Sequence, residues 1–340
     1  MEIAVQARAV VFPEPNRVAV EQVACPDPGP DDVVVDVTHS WISNGTEGSF
    51  LRGERIAGDT AYRQGDPWPF PIVAGYQKIG TVQWVGDAVT DLAVGETVFC
   101  ALGKVDGMFE AMGGHVSPSV SPRNQIWKLG PDVDPLACAG LVLTQVGYNC
   151  GARPSVSVGD GGVVIGDGQV GHWAAQTLAW RGANVVMVGR HDERLAKFAA
   201  SPFSGHTVNS RTVDWVEALR ARLPQGVRVA VDTVGSLEAI DAVLPLMKRF
   251  GHVVSAGFYG TEDRLGLQAL RNWELSLDTV SGWTQERMGA TLALVTAGHL
   301  QTLPLITHRF GVDRAAEAWA LIESKREPVL GVILEWASQP

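Results

Sequence analysis

The chain has 340 residues, 46% of them hydrophobic and 19% charged, which is typical of a folded protein large enough for two domains rather than of a disordered or fibrous one. Its net charge of −10 argues against nucleic acid and anionic membranes as main partners, because an acidic surface repels both. No apolar segment is long enough to cross a bilayer, and residues 1–10 lack a basic region followed by an apolar one, so we expect a cytoplasmic protein without a membrane partner.

Short β-rich segments follow one another from the N-terminus to about residue 135, separated by clusters of Pro, Gly and Asp such as residues 26–30. A glycine-rich loop is predicted at 43–48, and a polar and aromatic insert continues from it to residue 70. Strands at this spacing favour a small barrel or sandwich. The four cysteines have no C-x-x-C spacing and predict buried thiols rather than disulfides or a structural zinc site; they are Cys25, Cys100, Cys138 and Cys150.

Strands alternate with helices from residue 163 onward. The apolar runs at 227–231 and 252–256 suit a parallel sheet covered on both faces, and residues 237–250 between them predict a helix that ends at Gly251. The tail from residue 304 returns to strand, helix and strand. The sequence therefore predicts an α/β protein.

The strongest signal is a glycine turn between two apolar runs and a helical pattern, at residues 163–190. The turn reads Gly166-Asp167-Gly168-Gln169-Val170-Gly171, and its context of strand, turn, helix and strand predicts a Rossmann dinucleotide site. Gly166 permits the tight turn, Gly168 leaves room for a pyrophosphate, and Gly171 lets helix and strand pack closely. The N-terminus of the helix offers N–H groups to the phosphates.

The end of the second strand indicates which dinucleotide binds. A site that prefers NAD(H) has an acidic residue there for the ribose 2′-hydroxyl, whereas this chain has Gly189 and Arg190, with Arg194 one turn later. Without a carboxylate at the strand tip, the arginines can bind a 2′-phosphate through charge-assisted hydrogen bonds. The pattern therefore predicts NADP(H) as the cofactor.

The order of these segments resembles the medium-chain dehydrogenase/reductase superfamily, which includes the zinc alcohol dehydrogenases. The resemblance covers nearly the full length and rests on a Gly-Thr-Glu loop, a G-Y-Q-x-x-G-x-V strand, the Rossmann turn, and residues 232–235 and 249–254. It implies a GroES-like β-barrel catalytic domain at 1–137 and 302–340, a Rossmann domain at 138–301, and an active site in the cleft between them. It also implies a homodimer and further cofactor-binding residues after two strands, namely Thr233, Val234, Ala256, Gly257 and Phe258.

The chain departs from the zinc-dependent members of that family at each metal ligand. Those members have Cys-Gly-Thr-Asp where this chain has residues 44–47, and Gly-His-Glu where it has residues 75–77; their third ligand falls near Leu141 or Val142. A catalytic zinc needs about three protein ligands, so we predict a zinc-free member with no metal site. Two zinc-free groups are similar: the quinone oxidoreductase-like enoyl reductases, and a group with a Gly-Thr-Glu loop that includes the dehydrogenase of the hydroxyethyl group of bacteriochlorophyllide.

Without zinc, side chains must polarise the substrate oxygen. The resemblance puts Thr46 in the family's proton relay and Tyr76 at the position of a zinc-binding histidine. Tyr76 is expected to donate a proton to the substrate on reduction and accept it on oxidation, as a phenol of lowered pKa. Lys78 is expected to lie on the same face of a strand, where its positive charge would lower the pKa of Tyr76. Glu47 is expected to orient Thr46 or Tyr76, and Asn44 to hold the substrate.

These residues predict an NADP(H)-dependent oxidoreductase acting on the alcohol or carbonyl group of a fairly bulky small-molecule substrate. A second hypothesis is reduction of a C=C bond conjugated to a carbonyl, where the protein stabilises an enolate. A third is an NADPH-binding protein without turnover, which the loss of the metal ligands motivates.

Overall fold

The computed structural model describes residues 5–109, 112–261 and 264–336. The chain divides into two compact units, Met1–Val142 with Ile306–Pro340, and Leu143–Leu305. The divisions predicted from sequence, after residues 137 and 301, lie five and four residues earlier.

The described strands are β1 Val5–Phe12, β2 Ala19–Cys25, β3 Asp32–Ile42, β4 Arg55–Ala57, β5 Thr60–Ala61, β6 Ile72–Val73, β7 Lys78–Val85, β8 Thr97–Cys100, β9 Gly103–Lys104, β10 Met112–Gly113, β11 Val116–Ser117, β12 Ser119–Pro122, β13 Ile126–Lys128, β14 Gly161–Ile165, β15 Asn184–Gly189, β16 His206–Asn209, β17 Val227–Asp232, β18 Met247–Ser255, β19 Ser276–Thr279, β20 Ile306–Gly311 and β21 Gly331–Glu335. The α-helices are α1 Asn44–Leu51, α2 Pro135–Cys138, α3 Leu141–Ala152, α4 Gln169–Trp180, α5 Asp192–Ala199, α6 Trp215–Arg222, α7 Leu237–Val243, α8 Leu267–Asn272, α9 Gln285–Thr296 and α10 Ala315–Ser324. Short 3-10 helices lie at Arg123–Gln125, Leu244–Leu246, Leu303–Leu305 and Val312–Arg314.

Two largely antiparallel sheets form the first unit. One has the order β11-β1-β2, with β6 also paired to β1, and the other has the order β13-β8-β7-β3-β21-β20, with β12 paired to β3. The C-terminal strand β21 pairs directly with β3, in register at Val332 and Ile42, which joins the tail of the chain to its N-terminal part. Helix α10 covers a core in which Trp319 packs edge-on against Phe12, with ring centroids 5.4 Å apart.

The predicted loop at 43–48 is wrong, because helix α1 begins at Asn44. The carboxylate of Glu47 reaches back to accept the backbone N–H of Ser43 at 2.7 Å. This bond satisfies a donor that the start of a helix otherwise leaves unpaired. The polar insert that follows α1 forms the β4–β5 hairpin.

A six-stranded parallel sheet of order β16-β15-β14-β17-β18-β19 forms the second unit, and it confirms the predicted Rossmann fold. Every residue of β14 is buried, because hydrophobic cores cover both faces of the sheet. The helix predicted at 237–250 is shorter than expected: α7 ends at Val243 and β18 begins at Met247. The cause is Pro245, which has no N–H to continue an α-helix.

The four cysteines are buried and free, as the sequence predicts. Within the ranges that the structure describes, no helix is long and apolar enough to cross a membrane.

Candidate active site

Three hydroxyl groups meet at the start of helix α1 in the first unit. The phenol of Tyr76 donates to Ser43 Oγ at 2.6 Å, and the side chain of Thr46 hydrogen-bonds the same phenol. Ser43 is the N-cap residue of α1, and Thr46 lies in the first helical turn, so the helix positions both hydroxyls. Tyr76 and Thr46 are half-buried. The sequence predicted the meeting of Thr46 and Tyr76 but missed Ser43.

The phenol of Tyr76 is a weaker acid than we expected from the sequence. Burial raises its pKa to about 12, and the negative charge of Glu47 acts in the same direction. The side-chain hydrogen bonds between this phenol and Ser43 and Thr46 lower the pKa but do not offset the effect of burial. The expected lowering of the pKa is therefore wrong, and Tyr76 is a neutral hydrogen-bond donor at neutral pH.

Lys78 does not lower the pKa of Tyr76. Its ammonium group is fully buried within the first unit and donates to Gly113 O at 3.3 Å and Ala101 O at 3.5 Å, and burial lowers its own pKa. The expectation of a shared face assumed a continuous strand through both residues. Strand β7 begins only at Lys78, and Gly75 has a φ of +83°, so the alternation of a strand does not apply to Tyr76.

Glu47 pairs with a histidine that the sequence did not point to. One carboxylate oxygen accepts the N–H of Ser43, and the other lies 3.0 Å from Nε2 of His115; both side chains are almost completely buried. Nδ1 of His115 is buried and has no partner among the described residues. Glu47 therefore orients Ser43, which in turn accepts the hydrogen bond of Tyr76, whereas we expected Glu47 to orient Thr46 or Tyr76.

The two polar atoms of the Asn44 side chain differ in their hydrogen bonding. Its Nδ2 donates to Leu330 O of the tail at 2.7 Å, while its Oδ1 is buried and has no hydrogen-bond partner within the described ranges. An unsatisfied buried acceptor costs about 1–3 kcal/mol unless a ligand supplies a donor. Asn44 Oδ1 is thus able to accept a hydrogen bond from a substrate.

The residues at the family's zinc positions do not fit a catalytic zinc. Asn44 and Tyr76 replace two ligands, and Leu141 and Val142, at the third position, are apolar and buried. Burial raises the pKa of the nearby Cys138 thiol to about 12, which disfavours the thiolate that a metal needs. Across residues 5–109, 112–261 and 264–336, no group of three or more His, Cys, Asp or Glu side chains is arranged to hold a metal ion.

The glycine turn of the second unit has the shape of a pyrophosphate cradle. Gly166 has a φ of +118°, and a Cβ at Gly171 would lie 2.1 Å from the carbonyl oxygen of Gly166, so both positions require glycine. Gly168, the N-cap residue of α4, has ordinary backbone angles and open space where a Cβ would be. The protein itself therefore does not require glycine at position 168. A ligand that lies against the backbone at the helix N-terminus would require it. The turn ends with Gln169, which is buried, and Val170, which is half-buried.

A carboxylate lies at the tip of strand β15, although the sequence has none at that point of the chain. Asp167 extends from the glycine turn, and its Oδ2 accepts the backbone N–H groups of Arg190 at 2.7 Å and His191 at 2.8 Å. Arg194 lies 3.3 Å from Asp167 Oδ1, and the side chain of Arg190 is exposed. The premise that the tip of β15 lacks a carboxylate is therefore wrong, because residues distant in sequence meet there.

Strands β17 and β18 bring the remaining predicted cofactor residues to the carboxyl edge of the sheet. Thr233 donates to Ile165 O at 2.9 Å and so packs against the glycine turn, while Val234 is exposed. The buried carboxylate of Asp232 accepts three backbone N–H groups after β17 and the phenol of Tyr259 at 2.6 Å. The loop after β18 contains Ala256, Gly257 and Phe258.

Comparisons with known proteins identify several that are similar to this chain. Residues 170–297 match the family model of zinc-binding dehydrogenases. The 2-desacetyl-2-hydroxyethyl bacteriochlorophyllide A dehydrogenase of Cereibacter sphaeroides is 27% identical over 96% of this chain and 98% of its own.

Two solved structures share the fold. A zinc-binding dehydrogenase from Sinorhizobium meliloti 1021 bound to NADP has a TM-score of 0.81 and 21% identity over 97% of this chain and 99% of its own. An alcohol dehydrogenase from Escherichia coli CFT073 complexed with NADH has a TM-score of 0.83 and 21% identity over the same shares. At this identity the structural likeness concerns the fold alone.

Proposed function

We propose that this chain is an oxidoreductase of the zinc-binding dehydrogenase family that interconverts an alcohol and a carbonyl compound with a nicotinamide cofactor and without a catalytic zinc. The observation that carries this proposal is the hydroxyl cluster of Ser43, Thr46 and Tyr76, in which Tyr76 takes the position of a zinc-binding histidine of metal-dependent relatives. The loss of the metal ligands alone would also be expected in a protein without turnover. A hydrogen-bonded phenol in place of one ligand supplies a proton donor and so supports catalysis instead.

Tyr76 is the group that polarises the substrate oxygen in this proposal. The nicotinamide, when bound, supplies or accepts the hydride. On carbonyl reduction, the neutral phenol of Tyr76 donates a hydrogen bond and then its proton to the oxygen that becomes the alcohol. In the structure the phenol of Tyr76 donates to Ser43 Oγ at 2.6 Å, so its O–H turns from Ser43 to the substrate oxygen before the proton is transferred. The hydroxyls of Ser43 and Thr46 then donate to the transient phenolate and stabilise it. Asn44 Oδ1 accepts a hydrogen bond from the substrate and fixes its orientation.

NADP(H) is the proposed cofactor because the exposed guanidinium of Arg190 follows β15 directly and Arg194 lies one helical turn later. Arginine binds a phosphate through two parallel hydrogen bonds and is suited to a ribose 2′-phosphate. Solved relatives of the same fold bind NADP in one case and NADH in another, so the fold admits both.

A fairly bulky, partly apolar substrate is proposed from the aromatic insert and from the relative with full-length similarity. Trp68 is 56% exposed and contacts Tyr62 and Phe70, with ring centroids 6.0 and 5.5 Å apart. Exposed aromatic rings of this kind bind apolar ligands. The bacteriochlorophyllide dehydrogenase is named for the oxidation of a hydroxyethyl group on a large ring, which is a substrate of this description.

The test uses purified protein whose metal content is measured first. NADPH and NADH are titrated in parallel, and the protein is then assayed with secondary alcohols, their ketones, enones and quinones. We expect zinc below about 0.1 equivalent per chain, an order-of-magnitude limit for a site that lacks metal ligands. We also expect NADPH binding and turnover of alcohols and ketones. Stoichiometric zinc would refute the metal-free site, turnover of enones or quinones alone would favour C=C reduction, and binding without any turnover would indicate a non-catalytic protein.

We also propose a homodimer formed through strand β19, which lies at the edge of the parallel sheet. Leu277 on this strand is 40% exposed, and an unpaired edge is a site for pairing with a second chain. Light scattering of the protein should give twice the mass of one chain, and Leu277→Lys should give a single chain. A wild-type protein that is monomeric at all concentrations would exclude the dimer.

A further inference from the structure

The tip of strand β15 has a carboxylate supplied by another segment of the chain. A Cβ added to Gly189 would lie 2.5 Å from Asp167 Cβ and 2.6 Å from Asp167 Oδ2. The side chain of Asp167 therefore occupies the space that a side chain at the strand tip would take. Gly189 is required here because Asp167 crosses over it.

The two oxygens of this carboxylate have different surroundings. Oδ2 accepts three hydrogen bonds, from the N–H of Arg190, the N–H of His191 and Nδ1 of the His191 ring at 2.9 Å. Oδ1 has only a long contact of 3.3 Å with Arg194 Nη1, and Arg194 Nε is buried without a partner among the described residues. One oxygen thus anchors Asp167 to the strand tip, and the other retains the capacity to accept a hydrogen bond.

From this arrangement we infer that Asp167 sets the preference between NAD(H) and NADP(H). A carboxylate at this tip accepts the ribose 2′-hydroxyl of NAD(H) and repels the 2′-phosphate of NADP(H). Solvent screens this repulsion poorly because Asp167 is 6% exposed, and the contact with Arg194 at 3.3 Å compensates part of the carboxylate charge. Arg190 attracts the phosphate that Asp167 opposes, so we expect the wild-type protein to prefer NADP(H) less strongly than Arg190 alone would make it. This inference rests on the proposed function and adds to it the residue that limits its cofactor preference.

The experiment measures the dissociation constants of NADPH and NADH by nicotinamide fluorescence for four variants of the full chain. Asp167→Asn keeps the size of the side chain, and Asp167→Gly removes it. The double variant Asp167→Gly, Gly189→Asp returns a carboxylate to the same place from the strand. Asp192→Asn is the control, because this exposed acid, at the start of α5 two residues after Arg190, accepts a hydrogen bond from Asn209 and not from the strand tip.

Asp167→Asn and Asp167→Gly should each raise the affinity for NADPH relative to NADH at least about tenfold, and the double variant should return the ratio to within about threefold of wild type. The control should leave the ratio unchanged. Melting temperatures identify any variant that is not folded. If Asp167→Gly is unstable, the affinity ratio of Asp167→Asn alone tests the inference.

An unchanged ratio in both single variants, or a larger loss of NADPH than of NADH affinity, would overturn the inference while leaving the proposed function intact. A wild-type protein that binds neither nucleotide would refute the proposed function, and the inference with it. If the ratio of NADPH to NADH affinity returns in the double variant, the charge at the strand tip sets the preference. If it does not return, the geometry of the glycine turn sets it.

Discussion

Two of the three glycines in the Rossmann turn, Gly168 and Gly171, are expected to respond differently to substitution by alanine. Gly171→Ala places a methyl group 2.1 Å from the carbonyl oxygen of Gly166, so the backbone of the turn or helix α4 must move. Overpacking of this kind costs about 1–3 kcal/mol, which corresponds to a fall in melting temperature of roughly 2–12 °C. Gly168→Ala meets open space and ordinary backbone angles, and its loss of stability should be below about 1 kcal/mol.

The nucleotide affinities should follow a different order from the stabilities. The new methyl group of Gly168→Ala faces the proposed pyrophosphate, and we expect at least about tenfold weaker binding of NADPH and NADH alike, or 1.4 kcal/mol. Gly289→Ala is the control: this glycine lies in helix α9 with nothing within 4 Å of the added Cβ. It should stabilise the protein slightly, because alanine favours a helix, and leave binding unchanged.

Thermal melts and fluorescence titrations of the three variants separate these effects. Wild-type affinity in Gly168→Ala would refute the assignment of the turn to the pyrophosphate. Wild-type stability in Gly171→Ala would refute the close contact between helix and turn.

Three further substitutions test the side chains around the site and one buried histidine. Tyr76→Phe should lower kcat at least about 100-fold with little change in nucleotide affinity, because it removes the proposed proton donor. The wild-type pH–rate profile should show no titration of Tyr76 near neutral pH, because burial raises its pKa to about 12. Glu47→Gln should lower the free energy of unfolding by about 1–3 kcal/mol, because the amide cannot satisfy both Ser43 N–H and His115 as the carboxylate does. Burial lowers the pKa of His172 to about 4 in the folded protein, against about 6.5 in the unfolded chain. As the pH falls, this histidine is therefore protonated in the unfolded chain before it is protonated in the folded one, which favours unfolding. Wild-type stability should thus fall by up to roughly 3 kcal/mol between pH 6.5 and 4, and His172→Leu should remove this part of the loss.

Each of these measurements has a matched control. Tyr62→Phe removes a phenol that lies outside the hydroxyl cluster and should keep wild-type kcat; an equal loss in both variants would contradict the role of Tyr76. Glu54→Gln changes an exposed acid, and a similar loss of stability there would contradict the importance of the buried pair. His206→Leu replaces an exposed histidine and should keep the acid sensitivity of the wild type; persistence of that sensitivity in His172→Leu would show that other groups cause it.

The second unit was predictable because its signal is local. Glycines, flanking strands and helix lie within residues 163–190, and each obeys a rule that depends on neighbours in sequence. The position of Asp167 was not predictable, because its hydrogen bonds join residues 23 and 24 positions apart and depend on how the turn sits against β15. The sequence placed Arg190 and Arg194 after the strand, but it could not reveal that the Asp167 carboxylate contacts both residues.

The first unit was predictable in outline and less so in its site. Thr46 and Tyr76 were found by resemblance to a motif, whereas His115 lies 68 positions from Glu47 and has no spacing that marks it. The direction of the pKa shift of Tyr76 depends on burial, which is a property of the packed fold. A lysine two residues away in sequence was therefore a poor guide to the electrostatics of the phenol.

The raised pKa of Tyr76 has a consequence for the oxidation of alcohols. A catalytic zinc ionises a bound alcohol before the hydride leaves, and the described residues lack the ligands for one. Because the pKa of Tyr76 is raised to about 12, only a small fraction of it is phenolate at neutral pH. In the reverse of the proposed reduction, this phenolate accepts the alcohol proton as the hydride leaves, and partial positive charge develops on the carbon. An adjacent aromatic ring stabilises that charge by conjugation.

The matched pair 1-phenylethanol and 1-cyclohexylethanol tests this reasoning, because the two alcohols have nearly the same size and differ in conjugation. We expect kcat/KM for 1-phenylethanol to be higher by at least about tenfold, or 1.4 kcal/mol in the barrier. The corresponding Kd values, measured by competition, should differ by less than about threefold, since both rings are apolar. Equal kcat/KM values would mean that the alcohol is ionised before hydride transfer. A base or metal other than the Ser43, Thr46 and Tyr76 cluster would then have to be present in the working enzyme.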